Sequence, residues 1–331
     1  MQHILFRFIS LICLSFFAWS VQAQVAEDEV EKLLNTVQGA AKKLSYSGVF
    51  VYQQGNQIRT SKIIHVNDAD VEVERLENLD GKPREYVRRN REVTTYFPDQ
   101  KLIQIEKNLV HEEFPASLNQ ASKSLVDYYV ISKAEVRRVA GIECQVLNLK
   151  PKDAMRYAYR ICIDKKSGLL LGIQTINTRS EVLEQVAFTQ LTIGEVDRAS
   201  LKPSSSNTSH WRVENITLSG QVNSGWYVKN LPAGFKKTLE TKRLIPISGA
   251  AASDTANRAS HQMIQMMFSD GLCTISVFIE PYIASRVEGS LQQGALQVMQ
   301  KRKGDYWITV VGEMPANAVE QVISSLQLST R

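Results

Sequence analysis

The chain has 331 residues, of which 44% are hydrophobic and 22% are charged, and its formal net charge at pH 7 is +5. This composition excludes a disordered protein, and the length suffices for two domains that each bury a core. The small positive surplus predicts good solubility and does not indicate nucleic acid as a partner.

Residues 1–23 predict an export signal. Arg7 precedes an apolar run from Phe8 to Trp19, and the small-residue pattern ending in Ala23 follows. The run is too short to span a bilayer comfortably. We therefore expect cleavage near Ala23-Gln24 and an exported, soluble protein. Because the segment before the apolar run carries little charge, an uncleaved anchor is the alternative.

An amphipathic helix is predicted in AEDEVEKLLNTVQGAAKKL, directly after the signal. Its apolar stripe consists of Val30, Leu33, Leu34, Val37, Ala41 and Leu44. Short strands joined by Gly-, Pro- and Asn-containing turns follow, which is typical of an antiparallel meander. They are expected at 48–53, 57–66, 71–78, 84–89, 92–97 and 101–106. After a loop and a short helix within 112–132, strands resume at 134–139, 142–150, 155–164, 169–178 and 182–193.

This order predicts an α+β fold with two domains. The first, residues 24–200, is expected to be a large curved antiparallel sheet with covering helices. LKPSSSNTSH, residues 201–210, has the composition of a linker. Residues 211–331 predict a smaller C-terminal α/β domain that includes a helix from about 288 to 301 and another at 315–327.

Several strands of the first domain carry apolar residues on both faces, beginning with Gly48 to Tyr52. One amphipathic helix and one short helical insert cannot cover a sheet of this size. The second face is therefore filled by the insert, by closure of the sheet on itself, or by an apolar ligand. A fully packed interior is the alternative. Candidate residues for an apolar, lipid-binding cavity, chosen for bulk and phase, are Phe50, Tyr52, Ile64, Tyr96 and Ile105.

A basic hairpin lies in KPREYVRRNREV, residues 82–93. Its arginines fit either a solvated hairpin that resists edge pairing or a contact with an acidic peptide or anionic headgroup. The candidates for the anionic contact are Arg84, Arg88, Arg89 and Arg91.

The sequence contains no arrangement typical of an active site. His65, His111, His210 and His261 are isolated, and no nucleophile elbow, phosphate-binding loop or metal-ligand spacing occurs. The position of His65 near a strand end predicts a solvated imidazole. We therefore predict a protein that is not an enzyme and that has neither a metal nor a cofactor.

Cys144 and Cys162 flank a turn, and in an oxidising compartment they are the natural disulfide pair. Alignment of the apolar faces of the two strands places Cys144 opposite Ile161 and turns Cys162 to the other side. The pattern therefore disfavours the disulfide without excluding it. Cys273 is expected to be a buried, free thiol.

Four segments spread over both halves are distinctive: ERLENLDGKPREYVRRNREVTTYFPDQK (74–101), LPAGF (231–235), FSDGLCTISVFIE (268–280) and VVGEMP (310–315). Together they resemble the RseB/MucB family of periplasmic regulators of the sigma-E envelope-stress factor. The resemblance implies that the first domain is a LolA-like open half-barrel with helices in its mouth, and that the C-terminal domain takes part in binding an anti-sigma factor.

The resemblance also implies a function. Members of the family bind the periplasmic part of a membrane-anchored anti-sigma factor, shield it from proteolysis and sense lipid, lipopolysaccharide or lipoprotein signals. They thereby restrain the sigma-E envelope stress response. A periplasmic carrier or chaperone for lipids or lipoproteins, without a signalling role, is the alternative. An oligomer is compatible with the sequence.

Overall fold

The computed structural model describes residues 30, 32–37, 39–68, 71–107, 114, 122–205, 207–217, 222–246 and 260–329. The predicted signal, its cleavage site and His111 lie outside the described residues. Within them, no helix is long and apolar enough to cross a bilayer.

Twelve strands form one large sheet, and this confirms the sheet predicted for the first domain. Its order is β12-β6-β5-β4-β3-β2-β1-β11-β10-β9-β8-β7, with antiparallel neighbours except for β12, which runs parallel to β6. The strands are β1 (Tyr46–Gln54), β2 (Gln57–Asp68), β3 (Val71–Asn78), β4 (Glu85–Arg89), β5 (Glu92–Phe97), β6 (Leu102–Lys107), β7 (Tyr129–Val139), β8 (Ile142–Pro151), β9 (Ala158–Asp164), β10 (Leu170–Ile176), β11 (Val182–Ile193) and β12 (Arg212–Thr217).

The helices of the first domain cover part of one face of this sheet. They are α1 (32–37), α2 (Ala40–Lys43) and α3 (Ser122–Tyr128). The predicted stripe is confirmed, since Val30, Leu34 and Val37 are buried and join Leu125 of α3 on the apolar surface of β8 to β10.

The predicted linker is anchored to the other face of the sheet. A 3-10 turn, Arg198–Leu201, packs against β2 and β3. Arg75 of β3 donates to the Ser200 carbonyl and, at 2.6 Å, to Ser204 Oγ. The Ser204 amide donates to Glu85 of β4 at 2.9 Å. β12 then adds to the edge of the first sheet, so this sheet extends beyond residue 211, where the sequence had placed the second domain.

The second domain is a six-stranded antiparallel sheet with a helix on one face. The order is β14-β15-β16-β19-β18-β17, and a separate pair joins β13 to β20. Helix α4 (Ala316–Ser325) buries Val319, Val322 and Ile323 against the sheet. The strands are β13 (Trp226–Val228), β14 (Lys236–Pro246), β15 (Ser260–Ser269), β16 (Thr274–Pro281), β17 (Gly289–Gln293), β18 (Leu296–Lys303), β19 (Tyr306–Glu313) and β20 (Leu326–Leu328).

The predicted helix at 288–301 is wrong, because these residues form the β17–β18 hairpin. Leu, Gln, Ala and Met favour a helix, but propensity yields to tertiary pairing, here the pairing of β18 with β19. Gln293 pairs with Leu296, and Gly294 has φ +58° in the two-residue loop between them. A left-handed glycine at this position is the signature of a tight hairpin.

Cys144 and Cys162 form a disulfide, with their Cα atoms 5.5 Å apart, which corrects the expectation against it. Cys144 pairs with Asp164 and Val146 pairs with Cys162, so both cysteines share one face of β8 and β9. The predicted register failed because both faces of these strands are apolar, and an apolar face then no longer selects the register. Cys273 is free and buried, as predicted.

We predict that the double substitution Cys144→Ala/Cys162→Ala lowers the free energy of unfolding by about 3 kcal/mol, because the disulfide restricts the unfolded chain. Urea unfolding of protein produced from Gln24 onward measures the change. Cys273→Ala is the control for loss of a buried thiol. Equal stability of the double variant and the parent protein under oxidising conditions would contradict the bridge, as would three titratable thiols in denaturant.

Candidate ligand cavity between the two domains

A cavity of about 1340 Å³ lies between the two sheets, and both domains line it. This volume exceeds that of a typical small-ligand pocket, which is roughly 300–1000 Å³. The hollow expected from the sequence therefore exists, but the second domain supplies one of its walls. The apolar side chains that line it are Phe50, Leu76, Phe114, Tyr159, Ile173, Val186, Leu239, Met267, Leu272, Leu296 and Val311.

Successive side chains of β1 point to opposite faces of the sheet, and those on one face form part of the cavity wall on the first domain. Phe50 and Tyr52, two of the candidate residues, both line the cavity. Phe114, from the segment between β6 and α3, lies 5.4 Å from the Phe50 ring and 5.1 Å from the Phe188 ring, between centroids. The three rings therefore form one aromatic cluster, and Phe50 and Phe114 of this cluster line the cavity.

The cavity wall on the second domain is amphiphilic, because successive side chains of its strands also point to opposite faces of the sheet. Ile275 and Val277 of β16 lie in the core beneath α4, whereas Thr274 and Ser276 line the cavity. A ligand there meets hydroxyl groups opposite the aliphatic and aromatic surface of the first domain.

Ile64, Tyr96 and Ile105 do not line the cavity, in contrast to the prediction. The register places Ile64 opposite Ser47 of β1, one residue out of phase with Phe50 and Tyr52. The pairing of residues from β2 through β3, β4 and β5 to β6 places Tyr96 and Ile105 on that same outer face. Ile64 is buried there, in β2, which packs against the 198–201 turn.

The four arginines of the basic hairpin do not form one patch. Arg84 lines the cavity, with its guanidinium 4.7 Å from the Phe97 ring centroid. Arg88 is paired with Glu72 at 2.7 Å and Glu74 at 3.2 Å, whereas Arg89 and Arg91 are exposed. Only Arg84 is thus placed to meet a ligand in the cavity.

Arg243 of β14 is a cavity residue that the sequence analysis did not identify. Its Nη1 lies 3.5 Å from Glu106 Oε1. Its Nε is buried and has no hydrogen-bond partner among the described residues. A buried donor without a partner is unfavourable unless a ligand or water satisfies it. No local motif marks this arginine, because its position depends on the pairing of two domains.

Tyr52 and Glu184 make a polar spot in the wall of the first domain. The Tyr52 hydroxyl donates to Glu184 Oε2 at 2.9 Å, and the Thr175 hydroxyl donates to Oε1 at 3.3 Å. Burial, together with the negative charge of Glu184, raises the pKa of Tyr52 well above its usual value. Tyr52 is therefore a neutral donor and contributes no charge to the cavity.

His65 is fully buried, which corrects the expectation of a solvated imidazole. Its Nδ1 lies 2.7 Å from the Leu44 carbonyl, its Nε2 lies 3.1 Å from Glu72, and its ring stacks on Tyr46. Burial raises the pKa of Tyr46, so its hydroxyl stays protonated. Because both ring nitrogens of His65 are engaged, this group joins strands and offers no free base.

A buried arginine joins the two domains. The Arg156 side chain is 0% exposed and donates from Nε to Asp270 Oδ2 at 2.8 Å. Its other nitrogens donate to Asp153 of the first domain and to the Ala233 carbonyl of the second. The rings of Tyr128 and Phe235 lie 4.8 and 5.4 Å from the guanidinium carbon. These six residues are called the Arg156 hub below.

Gly234 belongs to the same contact. Its φ is +84°, and a Cβ at this position would lie 2.3 Å from Tyr128 Cε2. Any side chain at residue 234 would therefore strain the backbone. It would also clash with the Tyr128 ring, which the guanidinium of Arg156 holds in place.

We predict that Gly234→Ala lowers the free energy of unfolding by roughly 2–4 kcal/mol, from backbone strain plus overpacking. Gly304→Ala is the matched control, because its φ is +59° and nothing lies within 4 Å of the added Cβ. It is expected to cost only the strain, about 1–2 kcal/mol. Urea unfolding measures both variants, and equal losses would contradict the tight contact at Tyr128.

A two-walled cavity and a tight contact between domains define a binding protein. Among the described residues, no cluster of three or more metal-ligating side chains could hold a metal ion.

Comparison with known proteins gives the family. The model of the MucB/RseB N-terminal domain matches residues 29–207, and the model of the MucB/RseB C-terminal domain matches residues 220–327. The chain belongs to the MucB/RseB family, as the quoted segments indicated.

Two similar proteins indicate the role of the family. The sigma factor AlgU regulatory protein MucB of Pseudomonas aeruginosa is 29% identical, over 97% of this chain and 98% of that protein. The sigma-E factor regulatory protein RseB of Haemophilus influenzae is 23% identical over 99% of both. These are regulatory proteins, and the family is one of binding proteins and not of enzymes.

The fold agrees with a solved structure. The crystal structure of MucB in complex with MucA(peri) matches with 26% identity and a TM-score of 0.68, over 92% of this chain and 100% of that chain. The α+β architecture, with a large open sheet and a smaller second domain, is thus that of MucB.

Proposed function

We propose that this protein is a periplasmic regulator that binds the periplasmic part of a membrane-anchored anti-sigma factor and shields it from proteolysis. It thereby restrains a sigma-E type envelope stress response. The observation that carries the proposal is the match of both domains to a family of sigma-factor regulators. The complex of MucB with MucA(peri) supports the kind of partner, and the export signal supports the compartment.

The proposal includes a lipid signal received in the cavity between the domains. The wall of the first domain offers aromatic and aliphatic surface for an acyl chain, and the wall of the second offers hydroxyl groups. Arg84 and the unpartnered Nε of Arg243 are placed for an acidic group on the same molecule. Lipid, lipopolysaccharide and the acyl chains of lipoproteins share this amphiphilic chemistry.

Binding of the partner is tested with the full chain and the periplasmic segment of an anti-sigma factor from the same organism. We expect a stable complex by calorimetry, and slower cleavage of that segment by a site-specific protease when the complex forms. Saturating amphiphile is expected to weaken the complex if the ligand prefers the free form. Failure of the two to bind would favour the carrier function, in which the cavity transports lipids without signalling.

Binding in the cavity is tested with dansyl-undecanoic acid, whose fluorescence reports transfer into an apolar site. Val186 lines the cavity, and Gln190 on the same strand is exposed. We predict that Val186→Lys weakens binding by about tenfold or more, since it places an ammonium group in the apolar wall. Gln190→Lys, the matched control, should leave the affinity within about twofold.

The acidic end of the probe is tested in the same titration. Arg84→Gln and Arg243→Gln should weaken the dansyl acid and spare its methyl ester. Equal affinity of Val186→Lys and the parent protein would contradict the cavity as the lipid site. An equal loss of affinity for the acid and for its methyl ester would contradict the role of the two arginines.

A further inference from the structure

The contacts between the two domains differ greatly in strength. At the connection of β8 to β9, the Arg156 hub excludes water, since the side chain of Asp270 is only 1% exposed. Near β1, Gln54 Nε2 donates to the Gln293 carbonyl at 3.0 Å in an exposed position. Near β6, Arg243 and Glu106 are 3.5 Å apart and both partly exposed. Water can replace the partners of the last two contacts at little cost, but not those of the first.

The Arg156 hub is also rigid on both sides. Asp270 accepts the amides of Leu272 at 3.0 Å and Cys273 at 2.8 Å, which fix its carboxylate in the β15–β16 turn. On the first domain, Asp153 and Tyr128 hold the guanidinium in its plane. Withdrawal of either charge from the other would leave a buried ion without its partner, which is far more costly than loss of an exposed hydrogen bond.

The geometry separates this strong contact from the weak one near β1. On the second sheet, Asp270 lies in the β15–β16 turn and Gln293 borders the β17–β18 turn, with β16, β19 and β18 in sequence between them. At the usual spacing of strands this is a distance of about 14 Å. The two contacts thus lie at well-separated places on the rim of the shared cavity.

We propose that the Arg156 hub is the pivot on which the second domain swings. The side of the cavity at Gln54 and Gln293 opens and closes while the hub stays assembled. The proposal rests on the proposed function, because it assigns the regulation of the same cavity. Entry of an amphiphile is then coupled to displacement of the domains. The affinity for a partner that contacts both domains depends on the same equilibrium.

Pulsed electron spin resonance on the full chain tests the pivot. One pair of labels is placed at the exposed positions Gln57 and Gln292, beside the weak contact. The other pair is placed at the exposed positions Ala154 and Ala316, beside the hub, where Asn317 donates to the Ala154 carbonyl.

Without any ligand, Gln54→Ala should raise the population at longer Gln57–Gln292 distances and leave the Ala154–Ala316 distances unchanged. Arg156→Met should broaden both distributions, with about a tenfold rise in the open population, since it removes charge-assisted hydrogen bonds. Arg179→Met is the matched control, because Arg179 pairs with Glu181 on the surface of the same domain. It should change neither distribution.

If Arg156→Met does not fold, Arg156→Lys keeps the charge, loses the forked geometry and should give a smaller change of the same kind. Unaltered distances in a folded Arg156 variant would overturn the pivot. So would equal changes in both pairs for Gln54→Ala. Addition of dansyl-undecanoic acid should then shift only the Gln57–Gln292 pair. If the acid does not bind, the lipid function fails, while the distances without ligand still decide the pivot.

Discussion

The buried guanidinium of Arg156 is the interaction on which the arrangement of the molecule depends. It lies between the two domains with its charge opposed by Asp270 and its faces covered by two rings. Because a buried arginine must keep its partners, the two sheets stay in contact at this point. The face of the second sheet that α4 leaves uncovered then becomes a wall of the cavity. The amphiphilic site is therefore a product of the contact between domains and belongs to neither domain alone.

Much of the fold could be predicted because local pattern and tertiary structure agree. The stripe of Val30, Leu34 and Val37 is buried, and most strands begin and end close to the predicted residues. The hairpin at β17–β18 was missed because its composition favours a helix, and only pairing with β19 makes it extended. The disulfide was missed because strands that are apolar on both faces do not reveal their register.

The candidate site was predicted only in part, for the same reason. Phe50 and Tyr52 line the cavity, whereas Ile64, Tyr96 and Ile105 lie on the outer face. The face of each strand that lines the cavity could be chosen only with knowledge of what covers the other face. Residues 201–210 were predicted from composition to be a linker, whereas Ser204 is bound to Arg75 and Glu85 on that outer face. Arg243 and the buried state of His65 likewise depend on partners brought from distant parts of the chain.

The anchored segment on the outer face has a further consequence. Residues up to Thr217 stay on the first sheet, and the amides of Val222 and Ser224 already donate to Glu240 of β14, so the chain passes between the domains within a few residues. The stretch from Thr217 to Val222 can span at most about 18 Å. A domain released from its neighbour is thus retained at an effective concentration in the millimolar range. Renewed contact after a separation is consequently intramolecular and independent of the protein concentration.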